Sequence, residues 1–395
     1  MKPKKLLMVA YFSPPFAEVG VVRVAKFAKY LKKEGYDITV LTAKEKYYQT
    51  VNDSYTKDVE GIKTIRTAKM PSILPGINEE GFYWAPVLFF YLLYQMSFSR
   101  PSMVYFTGGP FYQWMLAPLC RLIGVKYIVD FRDPWKLSPY VVRKKGFFGN
   151  ITSGLEAFIE RFSIKYANTV INVTHQATEM YQNEYPEFSK KFVTITNGFD
   201  SDDFKNVEPI SISKFDIVYS GKFGTFRDVV PFFKAFKKLI DNKQFKAEDI
   251  RFVWVGREEK HIVDVIKEMK LENYVTMLGF LPYKENLQYI KGSQIAMLIA
   301  GEHPYEPTTK IFDYMALEKN ILGITSSSGF VSETLGDYPL GEVSKNNADT
   351  IFSLLEKKHL FISDNTEDKK LNLDKFDRYH LSLALSKIIK SYKYV

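Results

Sequence analysis

Residues 306–322 place a proline, two threonines, a lysine and an aspartate where a loop turns into a short helix and then a strand. Pro307 suits the helix start, where a missing N–H costs little. Thr308 or Thr309 is positioned to cap it. The first backbone N–H groups of a helix lack partners inside it and suit an anion. Lys310 stands in the first turn, where the helix dipole disfavours a cation unless an anion joins it. Asp313 follows on the same face. These residue types suit a nucleotide: diphosphate on Lys310 and the N–H groups of Thr308, Thr309 and Ile311, ribose hydroxyls on Asp313. Glu302, His303 and Glu306 cluster just ahead. The same pattern also opens many ordinary surface helices.

Other stretches carry related chemistry. Lys222 lies between Gly221 and Gly224, with Arg227 five residues on. Cations on a glycine-flanked loop suit a diphosphate leaving group, although an exposed turn lysine would read the same way. Asp130, Arg132, Asp133 and Trp135 offer charges and an aromatic face for an acceptor, or a salt bridge across a loop. Gly20 precedes a helix with Arg23 one turn in, and glycine allows close backbone approach to a phosphate or sugar. No G-x-G-x-x-G is present, so a dinucleotide redox cofactor is not supported. Asn197-Gly198 reads as a turn. The 5 histidines lack metal-ligand spacing. Cys120, the single cysteine, excludes an intramolecular disulfide and a cysteine metal cluster. No metal or cofactor is expected. No Walker loop, kinase set or nucleophile elbow occurs.

Short apolar runs alternating with amphipathic stretches must position these residues. They predict βαβ units and parallel sheets. Strands are expected at 6–10, 37–42, 102–107, 126–130, 169–173 and 192–195, with a helix at 21–34. After a polar linker at 201–214 the pattern restarts. Strands are expected at 215–220, 251–255, 274–278 and 294–300, a helix at 229–242, and a last helix at 377–392 that could pack on either domain. The expected domains are 1–200 and 215–375, with the C-terminal helix in 376–395. Ligands in such open sheets bind beyond the strand C-termini.

At 395 residues and 46% hydrophobic content the chain is long and apolar enough for two folded domains. The net charge of +9 belongs wholly to residues 1–200; the remainder balances. That asymmetry suggests an anionic partner. Basic residues do not interleave with aromatics in a nucleic-acid pattern, so nucleic acid is not expected. Residues 82–96 are uncharged and rich in Tyr and Trp, as in a core helix or one at a membrane interface. The N-terminal apolar run is too short for a secretory segment, so a cytoplasmic location, possible at the inner membrane face, is expected.

The chain resembles a family-four retaining glycosyltransferase of GT-B fold: two Rossmann-like, doubly wound parallel-sheet domains facing across a cleft. The resemblance rests on residues 11–15 with Gly20 and Arg23, on 130–135, on 195–200, on 220–222 and on 307–322. It implies an N-terminal acceptor domain and a C-terminal domain for a nucleoside-diphosphate sugar, UDP- or GDP-linked. It also implies front-face attack with no protein nucleophile and no obligatory metal. Gly20 would approach the donor, Lys222 and Lys310 would neutralise the diphosphate, and Arg227 would supply a further cation. Gly221, Gly256, Phe280, Leu281 and Glu306 would complete the donor site. The second acid of the family's Glu-x7-Glu motif meets Asp313; the first meets Tyr305, with Glu306 one place late. Asp133 is the nearest match to the family's catalytic-region histidine, with Arg132, Trp135 and Asn197 toward the acceptor. A glycan or polyprenyl-linked acceptor and contact with an anionic membrane are the implied partners. A sugar-nucleotide epimerase and a non-catalytic donor-binding partner in a glycan assembly complex are the alternatives.

Overall fold

The computed structural model describes residues 4–16, 20–51, 53–73, 79–138, 146–224, 227–301, 303–306, 308–326, 328–362 and 372–392. Glu302 and Pro307 lie outside them. The chain divides into two compact units, Met1–Thr196 with Arg378–Val395, and Asn197–Asp377.

The first unit contains β1 (Lys4–Val9), α1 (Gly20–Lys33), β2 (Tyr36–Ala43), β3 (Lys63–Thr67), α2 (Glu80–Tyr94), β4 (Met103–Thr107), α3 (Leu119–Leu122), β5 (Lys126–Phe131), α4 (Phe147–Tyr166), β6 (Thr169–Asn172), α5 (His175–Glu184) and β7 (Phe192–Thr194). Its seven strands are ordered β3-β2-β1-β4-β5-β6-β7 and pair in parallel. Parallel strands must be covered on both faces, so their sequences are almost wholly apolar. Alternate residues serve alternate faces. Leu7, Val9, Val104, Phe106 and Val129 pack with Trp84, Leu88 and Leu92 of α2. Leu6, Met8, Tyr105 and Ile128 pack with Val24, Phe27 and Leu31 of α1.

The second unit contains β8 (Asp216–Ser220), α6 (Val230–Lys243), β9 (Arg251–Val255), α7 (Lys260–Glu268), β10 (Val275–Gly279), α8 (Tyr283–Gly292), β11 (Ile295–Ile299), α9 (Lys310–Ala316), β12 (Asn320–Ile324), α10 (Phe330–Gly336), β13 (Gly341–Ser344) and α11 (Ala348–Ile362). Its sheet runs β10-β9-β8-β11-β12-β13, again parallel. The final helix, α12 (Arg378–Ser391), joins the first unit: Leu381, Leu385 and Ile389 enter the α1-side core.

Three readings of the sequence differ from this arrangement. β3 and β13 were not expected; each is a short edge strand, and KTIRT and GEVS carry too few apolar residues to show alternation. Residues 201–214, expected as a linker, are held inside the second unit. There Ile210 N–H donates to Gln288 O, and Ile212 and Ser213 N–H donate to the Asp216 carboxylate. Arg23 and Asp130, expected near ligand, instead bind each other at 2.7 Å with 1% and 0% exposure. Arg23 also donates to Ile195 O and Thr196 O, and Tyr105 Oη donates to Asp130 Oδ2. The network ties α1, β4, β5 and the end of β7 together.

Among the described residues no helix is long and apolar enough to cross a membrane.

Asp130→Asn leaves the buried Arg23 guanidinium without its counter-charge. The loss of folding free energy in urea should be about 3–5 kcal/mol, and an unchanged midpoint would show that the pair does not hold the unit.

Candidate active site

Two glycine-bearing turns and one short helix meet at the C-terminal edge of the second sheet. β8 ends in Gly221, whose φ of 114° suits glycine. Its N–H donates to Val255 O, and its carbonyl accepts from Trp254 Nε1 at 2.9 Å. A Cβ on Gly221 would lie 2.8 Å from Lys310 Cε and Nζ; one on Gly256 would lie 2.3 Å from Gly221 O. Both positions therefore exclude side chains because two backbones and a lysine converge there.

Lys310 is the first residue of α9. Its Nζ donates to Tyr219 Oη at 2.9 Å and sits 4.0 Å from the centre of the Tyr219 ring. Tyr219 Oη donates onward to Lys222 O at 2.8 Å, and its ring stacks on Phe223 at 4.0 Å. The lysine side chain keeps some surface, yet its ammonium is packed on Tyr219 and Gly221. Burial, followed by the Arg227 charge, pulls it down to about 7, against the opposing pull of Glu259 and Glu306. Burial pushes the Tyr219 hydroxyl up, so it stays neutral.

Arg227 NH2 pairs with Glu306 Oε1 at 2.8 Å, and Glu306 Oε2 accepts from Gly301 N–H at 2.9 Å. Arg227 Nε is buried and has no hydrogen-bond partner among the described residues. Glu259 accepts from the N–H groups of Phe223 and Gly224, holding the loop after β8. Asp313 Oδ1 accepts from Tyr283 Oη at 2.8 Å.

The structure thus brings Gly221, Gly256, Arg227, Glu306 and Lys310 together. Lys222 sits on the same loop with its carbonyl anchored, but its side chain is exposed. Thr308 is buried, and Ile311 is fully buried in the core, so the latter offers only its backbone. Thr309 takes helical dihedrals and makes no side-chain capping bond, contrary to the expected cap. Phe280 is exposed and Leu281 partly so, just beyond β10.

At the corresponding edge of the first unit, Arg132 follows β5 and lies against Gly20 at the start of α1. A Cβ there would come within 1.9 Å of Arg132 NH1. Arg132 Nε is 3.7 Å from Asp133 Oδ2, whose side chain is exposed. Trp135, expected to offer a face to the acceptor, is 3% exposed and stacks on Phe111 at 5.3 Å, so it belongs to the core. Asn197 is buried at the start of the second unit.

Two family models lie end to end on the chain: Glycosyltransferase Family 4 over residues 20–203 and Glycosyl transferases group 1 over residues 200–373. The chain belongs to glycosyltransferase family 4. It is a retaining glycosyltransferase that takes its sugar from a nucleotide sugar. No curated protein sequence matches it. Solved structures with the same fold include a glycosyltransferase from Rickettsia africae ESF-5 (TM-score 0.70, 16% identity, 99% of each chain). A sucrose-phosphate synthase from Thermosynechococcus elongatus is similar (TM-score 0.70, 13% identity, 98% of each chain). So is the UDP-GlcNAc 2-epimerase of Methanocaldococcus jannaschii (TM-score 0.59, 10% identity, 98% of this chain and 100% of that one). At these identities the likeness shows the GT-B fold alone.

Sequence reasoning missed Tyr219, Glu259 and Tyr283. Tyr219 reads as one more apolar strand residue. Glu259 and Tyr283 each act on a residue far away in the chain, so no local spacing marks them.

In Gly256→Ala the new methyl meets a carbonyl that cannot swing aside. Overpacking should cost about 1–3 kcal/mol of stability in thermal or urea unfolding. Wild-type stability would mean that the approach of the two turns is looser than described.

Proposed function

We propose that this glycosyltransferase moves a sugar from a UDP- or GDP-sugar to a hydroxyl of a glycan or lipid-linked acceptor, with its first unit resting on an anionic membrane. The observation that carries the donor assignment is the Lys310 ammonium, packed on Tyr219 and Gly221 beside Arg227 with its proton held loosely. Such a group regains its charge when a diphosphate arrives. Lys310 and Arg227 stabilise the negative charge that develops on the leaving diphosphate. The exposed Lys222 adds a third cation from the same loop. Glycines at 221 and 256 let the phosphates approach the backbone. Asp313, its other oxygen held by Tyr283, takes the ribose hydroxyls, and the backbone around Phe280 and Leu281 receives the base. Arg132 and Asp133, beside Gly20, form the polar edge of the first unit and orient the acceptor. No metal is assigned to either edge.

The epimerase alternative shares the fold but needs no acceptor. A labelled nucleotide sugar incubated alone should come back without change at its sugar stereocentres. An epimerised product would overturn the transferase reading. A thermal-shift screen against UDP, GDP and their sugars identifies the donor, because a ligand of the native state raises its stability.

Lys310→Ala should lower kcat/KM by a factor corresponding to about 2–4 kcal/mol of transition-state stabilisation. Turnover like that of the wild type would remove Lys310 from the chemistry.

The pH dependence follows from the same lysine. A bound diphosphate raises the Lys310 value above its free value of about 7. Its contribution to affinity is therefore complete below the free value and lost as pH rises toward the bound one. Calorimetry should show nucleoside-diphosphate affinity falling above pH 7, and Lys310→Met should flatten that slope. An unchanged slope in the variant would assign the titration to another group.

A further inference from the structure

The fold of the first unit does not explain the outer side of α2. Its inner side, Trp84, Leu88 and Leu92, is fully buried. Its outer side should then carry charge, as surface helices do. Instead residues 81–120 contain one charged residue, Arg100. The outward stripe is aromatic: Phe90 is 69% exposed, Tyr94 56%, and Phe98, in the turn that extends the helix, 74%. The Tyr94 and Phe98 rings lie 4.8 Å apart. Leu122, at the end of α3, is 85% exposed. Between the end of α2 and the approach to β5 runs an open groove of about 550 Å³, lined by residues of both segments and flanked by Arg100 and Lys126. Arg121 stands exposed beside Leu122. Among the described residues no ion pair involves Arg100 or Arg121.

We infer that this face docks on an anionic lipid bilayer. Tyrosine and tryptophan favour the headgroup region of a membrane, and exposed phenylalanine and leucine enter the boundary with the acyl chains. Cations beside them meet the lipid phosphates, each contributing a modest attraction near a charged leaflet. A protein partner of ordinary surface chemistry would be met by charged groups along the stripe, and residues 81–99 carry none. The placement is also functional. Arg100 and Lys126 lie at the N-terminal ends of β4 and β5, whereas Gly20 and Arg132 lie at the opposite, C-terminal edge of the same sheet. A bilayer under the first edge leaves the second open. The inference names the surface for the membrane contact in the proposed function, and rests on that part of the reading.

The test is co-sedimentation of the full chain with phosphatidylcholine vesicles, with and without phosphatidylglycerol. The wild-type chain should bind only the anionic vesicles, and more weakly in high salt. Arg100→Gln should weaken binding about fivefold, the worth of one cation near an anionic leaflet. Phe98→Ser with Leu122→Ser should weaken it further while melting and nucleoside-diphosphate binding stay as in the wild type. Lys310→Met should weaken nucleotide binding and keep vesicle binding, which separates failure of the surface from failure of the donor site. Absence of binding to anionic vesicles, or binding unmoved by these substitutions, would overturn the inference. So would a concentration-dependent dimer that the Phe98 and Leu122 changes abolish, because the face would then serve a second copy of this chain.

Discussion

A lysine ammonium held against a tyrosine ring and a glycine backbone loses water that its neighbours only partly replace. At Lys310 the hydrogen bond to Tyr219 and the ring face offset some of that loss. The nearby Arg227 charge adds to the cost rather than reducing it. The position is tolerable in the free protein because the proton can leave near neutral pH. Much of the second unit serves this arrangement. Tyr219 is placed by a strand buried on both faces, Gly221 has no side chain to block the lysine, and Gly256 lets the neighbouring turn close over Gly221 O.

The first unit depends on a different buried charge. Arg23 and Asp130 are removed from water together, with three further hydrogen bonds completing their coordination. Replacing both by apolar residues could keep the fold, since such pairs gain little net stability. What they supply is position. Asp130 lies two residues before Arg132, and Arg23 lies one turn after Gly20. The ion pair therefore sets where the guanidinium of Arg132 meets the start of α1. Charges that looked like ligands act one step behind the residues that remain accessible.

This explains what could be read from the chain alone. Parallel strands buried on both sides announce themselves as apolar runs, and most of the central ones were legible to within a residue or two. β3 and β13 were not, because an edge strand is half solvated and carries Lys, Arg and Glu. That Lys310, Gly221 and Arg227 gather at one sheet edge was legible because each stands in a locally recognisable turn or helix start. Trp135 misled because exposure cannot be read from residue type: a tryptophan at a strand exit looks the same whether it faces a ligand or, as here, Phe111. Glu259 and Tyr283 were invisible because their work is done on backbone and carboxylate groups brought close only by folding.

The departures from the expected acid pair make physical sense in the same terms. Asp313 is a methylene shorter than glutamate, and Tyr283 Oη takes Oδ1 at 2.8 Å, so the shorter carboxylate is held from outside rather than by its own reach. Glu306, one place late, is spanned between Gly301 N–H and Arg227. Around the Gly221 turn stand two cations, Lys310 and Arg227, and two carboxylates, Glu306 and Glu259. Glu259 is occupied by two backbone N–H groups, which draw on its charge locally. Glu306 is matched by Arg227. Lys310 is left as the cation with no carboxylate bonded to it among the described residues, so burial and then the Arg227 charge outweigh the pull of Glu259 and Glu306 and loosen its proton. In the proposed reading a diphosphate supplies the missing anion, and the site is electrically complete only with donor bound.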